Sequence, residues 1–151
     1  NNNLSIYKAF EHQHLNEIGE TIFPKTDTPG AKEANVGAFM EIIVRDCYTE
    51  AHQKIFYDGL KDLEKRCIDQ WGKGFLKCSA NERTSFLTEL EKDQRVYMAS
   101  KKPADPVHYF RLLKELTLSG YYSSEIGATT SLKYNPAPGR YDGCTTEKPW
   151  I

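Results

Sequence analysis

Val36, Phe39, Met40, Ile43, Val44 and Cys47 recur at steps of three and four residues, which predicts a helix with one wide buried face. Asn35 stands where an N-cap belongs. Upstream, from Leu4 to about Glu20, Tyr7, Phe10, His14 or Leu15, Ile18 and Ile22 keep the same period, and Pro24 requires that helix to have ended. Downstream, Thr49 is placed to cap a third helix carrying Ile55, Phe56, Leu60, Leu63, Cys67 and Trp71, which Gly72 and Gly74 terminate. Ser79-Ala80-Asn81-Glu82 has the form of a capping box ahead of Phe86, Leu87 and Leu90. After a break at 101–104, Asp105 and Pro106 restart a helix whose inward residues, Phe110, Leu113 and Leu116 or Thr117, run on to Gly120.

No segment alternates as a strand does, and no repeat is visible. The fold class is therefore all-α, an irregular bundle of five or six helices with a long non-helical C-terminal tail. Residues 1–134 form the helical domain. Pro136, Pro138, Gly139 and Pro149 exclude regular helix over 135–151, a tail that either belongs to the same domain or wraps a partner. Between the first two helices, "PKTDTPGA" is a structured loop. Asp27 or Thr28 can cap there, Pro29 can take a first helical position, and Gly30 allows a single turn.

Composition narrows the function classes. The 151 residues suit one domain, and 20 basic against 21 acidic residues leave a net charge of −1. That balance offers no electrostatic footprint for nucleic acid or an anionic membrane. Hydrophobic residues make up 39% and mean hydropathy is −0.63, with no apolar run long enough to span a bilayer. The chain has no start methionine and no secretory apolar segment, and it opens on Asn1-Asn2-Asn3, as expected of a mature or trimmed product. Cys47, Cys67, Cys78 and Cys144 form no C-x-x-C pair. Cys47 and Cys67 fall on apolar stripes and read as buried thiols, while one or two disulfides stay open for an oxidising compartment.

Reactive constellations are few. The chain lacks a nucleophile elbow, a phosphate-cradling glycine loop and an H-E-x-x-H motif. Glu11-His12-Gln13-His14 contains the E-x-x-H step of di-iron bundles, and Asp105-Pro106-Val107-His108 gives a weaker D-x-x-H echo. Asp105 is better explained as an N-cap, and His14 as a core histidine. The catalytic, cofactor-binding and metal assignments are therefore none, with a free-standing metal-binding bundle, or a binding module of unknown ligand, kept as alternatives.

The stretch Gly120-Tyr121-Tyr122-Ser123-Ser124-Glu125-Ile126-Gly127 is unusual. Gly120 is expected to stop a helix, Gly127 to turn the chain again, and the adjacent tyrosines cannot both enter one small core. Tyr134, Arg140, Tyr141 and Trp150 repeat the same chemistry on the tail, and Tyr, Trp and Arg dominate interface hot spots. A partner interface at Tyr121, Tyr122, Tyr134, Arg140, Tyr141 and Trp150 follows. The competing reading folds loop and tail back over the bundle.

Three separated blocks, "FPKTDTPGAKEANV" (23–36), "YFRLLKELTLSGYYSSEIGA" (109–128) and "PGRYDGC" (138–144), resemble the gluconate 2-dehydrogenase subunit 3 family, with likeness from about Leu15 to Thr145. The resemblance implies a non-catalytic helical subunit of a periplasmic or cell-envelope sugar or polyol dehydrogenase. FAD and the catalytic residues would lie in a larger glucose–methanol–choline type partner, sometimes joined by a cytochrome c subunit. It further implies a role in maturation and export of that partner, through a twin-arginine leader that this chain does not display.

Overall fold

The computed structural model describes residues 12–137 together with 139, 143, 144 and 146. Among them run six α-helices: α1 (His12–Ile22), α2 (Val36–Cys47), α3 (Glu50–Trp71), α4 (Ala80–Ser100), α5 (Tyr109–Ser123) and α6 (Glu125–Thr130), with a 3₁₀ turn at Phe75–Lys77. No strand occurs among the described residues, so the all-α class holds.

Helix α5 is the hub, packing on α1, α2, α3, α4 and α6. It sends Phe110, Leu113, Leu116 and Thr117 into one core with Ile18 of α1, Met40 and Val44 of α2, Phe56, Leu60 and Leu63 of α3, and Phe86 and Leu90 of α4. The three- and four-residue periods read from the sequence are the inward faces of these helices. Where the sequence left His14 or Leu15, both are buried, as are both Leu116 and Thr117. Thr117 meets its hydroxyl's need by donating to the Leu113 carbonyl at 2.8 Å.

Several helix ends follow local chemistry. The Thr49 hydroxyl accepts from the His52 N–H, and Gly72 closes α3 at φ 66°, a left-handed position that glycine takes without strain. Ser79 and Glu82 make the reciprocal capping box. Lys73, Ser79 and their hydrogen bonds hold the Glu82 carboxyl down at about 2.

Other ends depart from the sequence reading. Asn35 is left-handed at φ 51° and its side chain does not cap α2. It accepts instead from the Asn16 amide at 3.3 Å, while Asn16 Oδ1 takes the Gly37 N–H at 2.8 Å. Helix α2 is thus capped from α1. Asp105 does not start α5 either: its carboxylate accepts from the Lys102 N–H at 2.7 Å and closes a turn. The helix begins at Tyr109, where His108 Nδ1 accepts from the Phe110 N–H at 3.2 Å. Gly120 lies inside α5, which runs on to Ser123. A Cβ there would sit 2.7 Å from the Phe39 ring, so the glycine allows α2 and α5 to approach, and it does not end the helix. Cys47 is exposed, against the expectation of a buried thiol, while Cys67 and Cys78 are buried.

Candidate partner-binding surface

Residues 23–35 leave α1 and return to α2 across the end of α5. Glu20, in the last turn of α1, fixes this loop by accepting from the backbone N–H groups of Lys25 at 2.9 Å and Lys32 at 2.8 Å. Gly30 is buried against that carboxylate, and a Cβ would lie 2.4 Å from it. Pro29 precedes a turn over 31–35 and opens no helix, and Asp27 is exposed. The anchoring assigned to Asp27 belongs to Glu20. Sequence reasoning passed over Glu20 because a single acidic residue at a helix end carries no motif.

Tyr121 stitches three segments together. Its side chain is 0% exposed. The hydroxyl donates to the Pro29 carbonyl at 2.8 Å and shares a hydrogen bond with Ser131 Oγ at 2.7 Å. Its ring packs 4.2 Å from that of Phe23. Tyr121 is consequently a core residue, and its assignment to an interface is corrected: a phenol that satisfies its hydroxyl internally has nothing left to offer outside.

Tyr122 differs at the next position, with 42% of its surface exposed. Its ring stands edge-on to Tyr121 at 5.2 Å and to Phe23 at 5.9 Å, so the exposed face rests on a rigid aromatic base. Leu118, one turn earlier on α5, is also exposed. Ser124 then ends one helix and begins another. Its N–H and hydroxyl both donate to the Tyr121 carbonyl, at 3.1 and 2.6 Å, and its oxygen accepts from the Gly127 N–H at 3.0 Å. Gly127 lies within α6 rather than at a turn, and a Cβ would fall 2.0 Å from the Tyr121 carbonyl oxygen. Backbone crowding fixes that glycine. Beyond α6 the described tail residues from Lys133 onward are exposed, Tyr134 at 65%. Arg140, Tyr141 and Trp150 lie outside the described residues.

The ionisable side chains are mostly occupied with structure. Glu17 receives Arg83 at 2.6 Å and pairs with Lys32, and these partners, Lys32 first, hold its carboxyl below the usual range. Arg83 also donates to the carbonyls of Phe75 at 3.1 Å and Leu76 at 2.6 Å. Glu64 accepts from the Phe75 N–H at 3.2 Å. His14 stacks on Phe75 with ring centres 5.8 Å apart, and burial pushes its pKa down. Of the two metal-like motifs, Glu11 lies outside the described residues, while Asp105 and His108 serve a turn and a cap. No group of three His, Cys, Asp or Glu able to hold a metal occurs among the described residues. Nor is any helix there long and apolar enough to cross a membrane.

The chain belongs to the gluconate 2-dehydrogenase subunit 3 family, whose pattern it matches over residues 9–139. A stretch of 27 residues is 67% identical to part of the N-acetyl-gamma-glutamyl-phosphate reductase of Flavobacterium johnsoniae. That stretch is 18% of this chain and 8% of the reductase, so the chain spans under a tenth of that protein's length. No solved structure matches the chain.

Proposed function

We propose that this chain is the non-catalytic small subunit of a periplasmic or cell-envelope FAD-dependent sugar or polyol dehydrogenase. In this reading it supports the maturation, export or stability of a large glucose–methanol–choline type flavoprotein. The flavin and the acid–base chemistry belong to that partner, which a cytochrome c subunit can join to carry electrons onward. The observation that carries the reading is the family match across residues 9–139, a family named for a dehydrogenase subunit. Two structural features support it. Side chains that elsewhere perform chemistry, Glu17, Glu64, Arg83 and His108, are bound to backbone or to each other. Tyr122 and Tyr134 present tyrosine surface outward, the residue type that gives large contact area at small entropic cost.

Co-expression with the large flavoprotein subunit of the same organism tests the proposal. The two chains are expected to co-purify, with flavin absorbance following the large subunit and none remaining on the small one after separation. Separate elution of the two chains, or a flavin retained by this chain alone, would overturn it.

A further inference from the structure

The connection from α4 to α5, residues 101–108, is tied down along its length. The Asp105 carboxylate accepts from the Lys102 N–H at 2.7 Å, and the Tyr97 hydroxyl of α4 donates to the Pro106 carbonyl at 2.9 Å. At its far end His108 Nδ1 accepts from the Phe110 N–H at 3.2 Å. That last bond is the N-cap of α5, the helix on which the other described helices pack. The usual caps, Ser, Thr, Asn and Asp, accept through oxygen. An imidazole can accept only while Nδ1 is unprotonated and the ring proton sits on Nε2. The ring has little freedom to find another arrangement. It is half-buried, stacked on Tyr109 with ring centres 4.8 Å apart and tilted against Tyr97 at 5.6 Å. Tyr109 is itself pinned to α3: its hydroxyl donates to Asp62 Oδ2 at 3.1 Å, and Gly59 lets the ring approach so closely that no Cβ would fit there. Turning the imidazole over would bring a carbon, Cδ2, to the Phe110 N–H in place of the acceptor.

We propose that His108 is a proton-operated cap: the neutral ring closes the first turn of α5, and a proton on Nδ1 opens that turn and frees the 101–108 connection at its α5 end while the rest of the bundle stays packed. This inference stands on the capping geometry and does not depend on the dehydrogenase partner. The proton comes from solvent to the Nδ1 lone pair and sets one N–H against another, so an attraction becomes a repulsion. The imidazolium would also stand at the positive end of the helix dipole. Burial pushes the pKa of the ring down, Asp93 of α4 and Asp62 of α3 push it up, and Arg66 of α3 pushes it down again. Both carboxylates are already engaged, Asp93 by Arg66 at 2.7 Å and Asp62 by the Tyr109 hydroxyl. The cap therefore holds at neutral pH and opens as pH falls below the ordinary imidazole range. The face of Tyr109 can carry a cation, which lets the charged ring stay in its stack and keeps the opening local.

The experiment is a solution NMR titration of the full chain, uniformly labelled with nitrogen-15, from about pH 7.5 to about pH 4.5. At the upper end His108 should be the Nε2–H tautomer, with its Nδ1 resonance shifted as a hydrogen-bond acceptor. As pH falls, the Phe110 amide signal should move with the same midpoint as the His108 ring. Its protection from hydrogen exchange, corrected for the intrinsic pH dependence, should drop roughly two- to thirtyfold, the range of a lost cap. His108→Asn keeps a capping acceptor that takes no proton in this range, so its Phe110 protection should stay level. His108→Ala should show low Phe110 protection throughout. An Nδ1–H tautomer at the upper end, a Phe110 midpoint apart from that of His108, or an equal fall in the His108→Asn chain would overturn the proposal.

Discussion

The hydroxyl of Tyr121 meets the Pro29 carbonyl and Ser131, so one oxygen ties the loop after α1 to the end of α6. Tyr121→Phe keeps the ring and removes both bonds, leaving a carbonyl with one partner fewer. A loss of about 1–3 kcal/mol in urea unfolding is the expected outcome. An unchanged midpoint would mean that water replaces the phenol freely. Titration is a second residue-scale matter. Burial holds His14 and His108 below the ordinary imidazole range, so the unfolded chain binds protons that the folded chain refuses. Stability should therefore be full above about pH 6.5 and decline as pH falls below it. Glu17 adds a later limb: its depressed carboxyl contributes stability above its ordinary pKa of 4.5, lost as pH falls through the folded value. His14→Gln should flatten the upper limb and spare the lower one. An upper limb of unchanged slope in urea titrations would assign it elsewhere.

Among the elements, what could be read in advance was what is local. Thr49, the Ser79–Glu82 box and Gly72 act on backbone within a turn of themselves, so a few residues of sequence suffice to place them. The inward faces of five helices were legible for the same reason, since period and burial are linked by helix geometry. What failed was set by distant contacts. Asn35 looks like a cap, yet Asn16, nineteen residues earlier, supplies it. Gly120 looks like a stop, yet Phe39 from another helix explains it, and Gly127 answers to the Tyr121 carbonyl. Adjacent tyrosines announced something unusual, but only the fold shows that one is a pin and the other a shelf. Asn16→Ala should accordingly cost about 0.5–2 kcal/mol, the range of an N-cap, although the residue sits within α1. Asp27→Ala, at the position first credited with capping, should change little in the same thermal scans.

At the scale of the whole molecule, the other five described helices pack on α5 and the last of them ends at Thr130, while the described residues from Lys133 onward are exposed. The family pattern ends at residue 139, so Arg140, Tyr141 and Trp150 fall beyond it. On the proposed function, stability and affinity should separate: core residues such as Tyr121 hold the bundle, and Tyr122 with the tail is the surface proposed to meet the partner. The most direct measurement is the affinity of Tyr122→Ala for the large flavoprotein subunit, taken beside the melting temperature of the free variant. Loss of a hot spot predicts binding weakened roughly thirtyfold, equivalent to about 2 kcal/mol, with the fold nearly unchanged. Binding at full strength by the Tyr122→Ala chain, with or without a lowered melting temperature, would contradict the account.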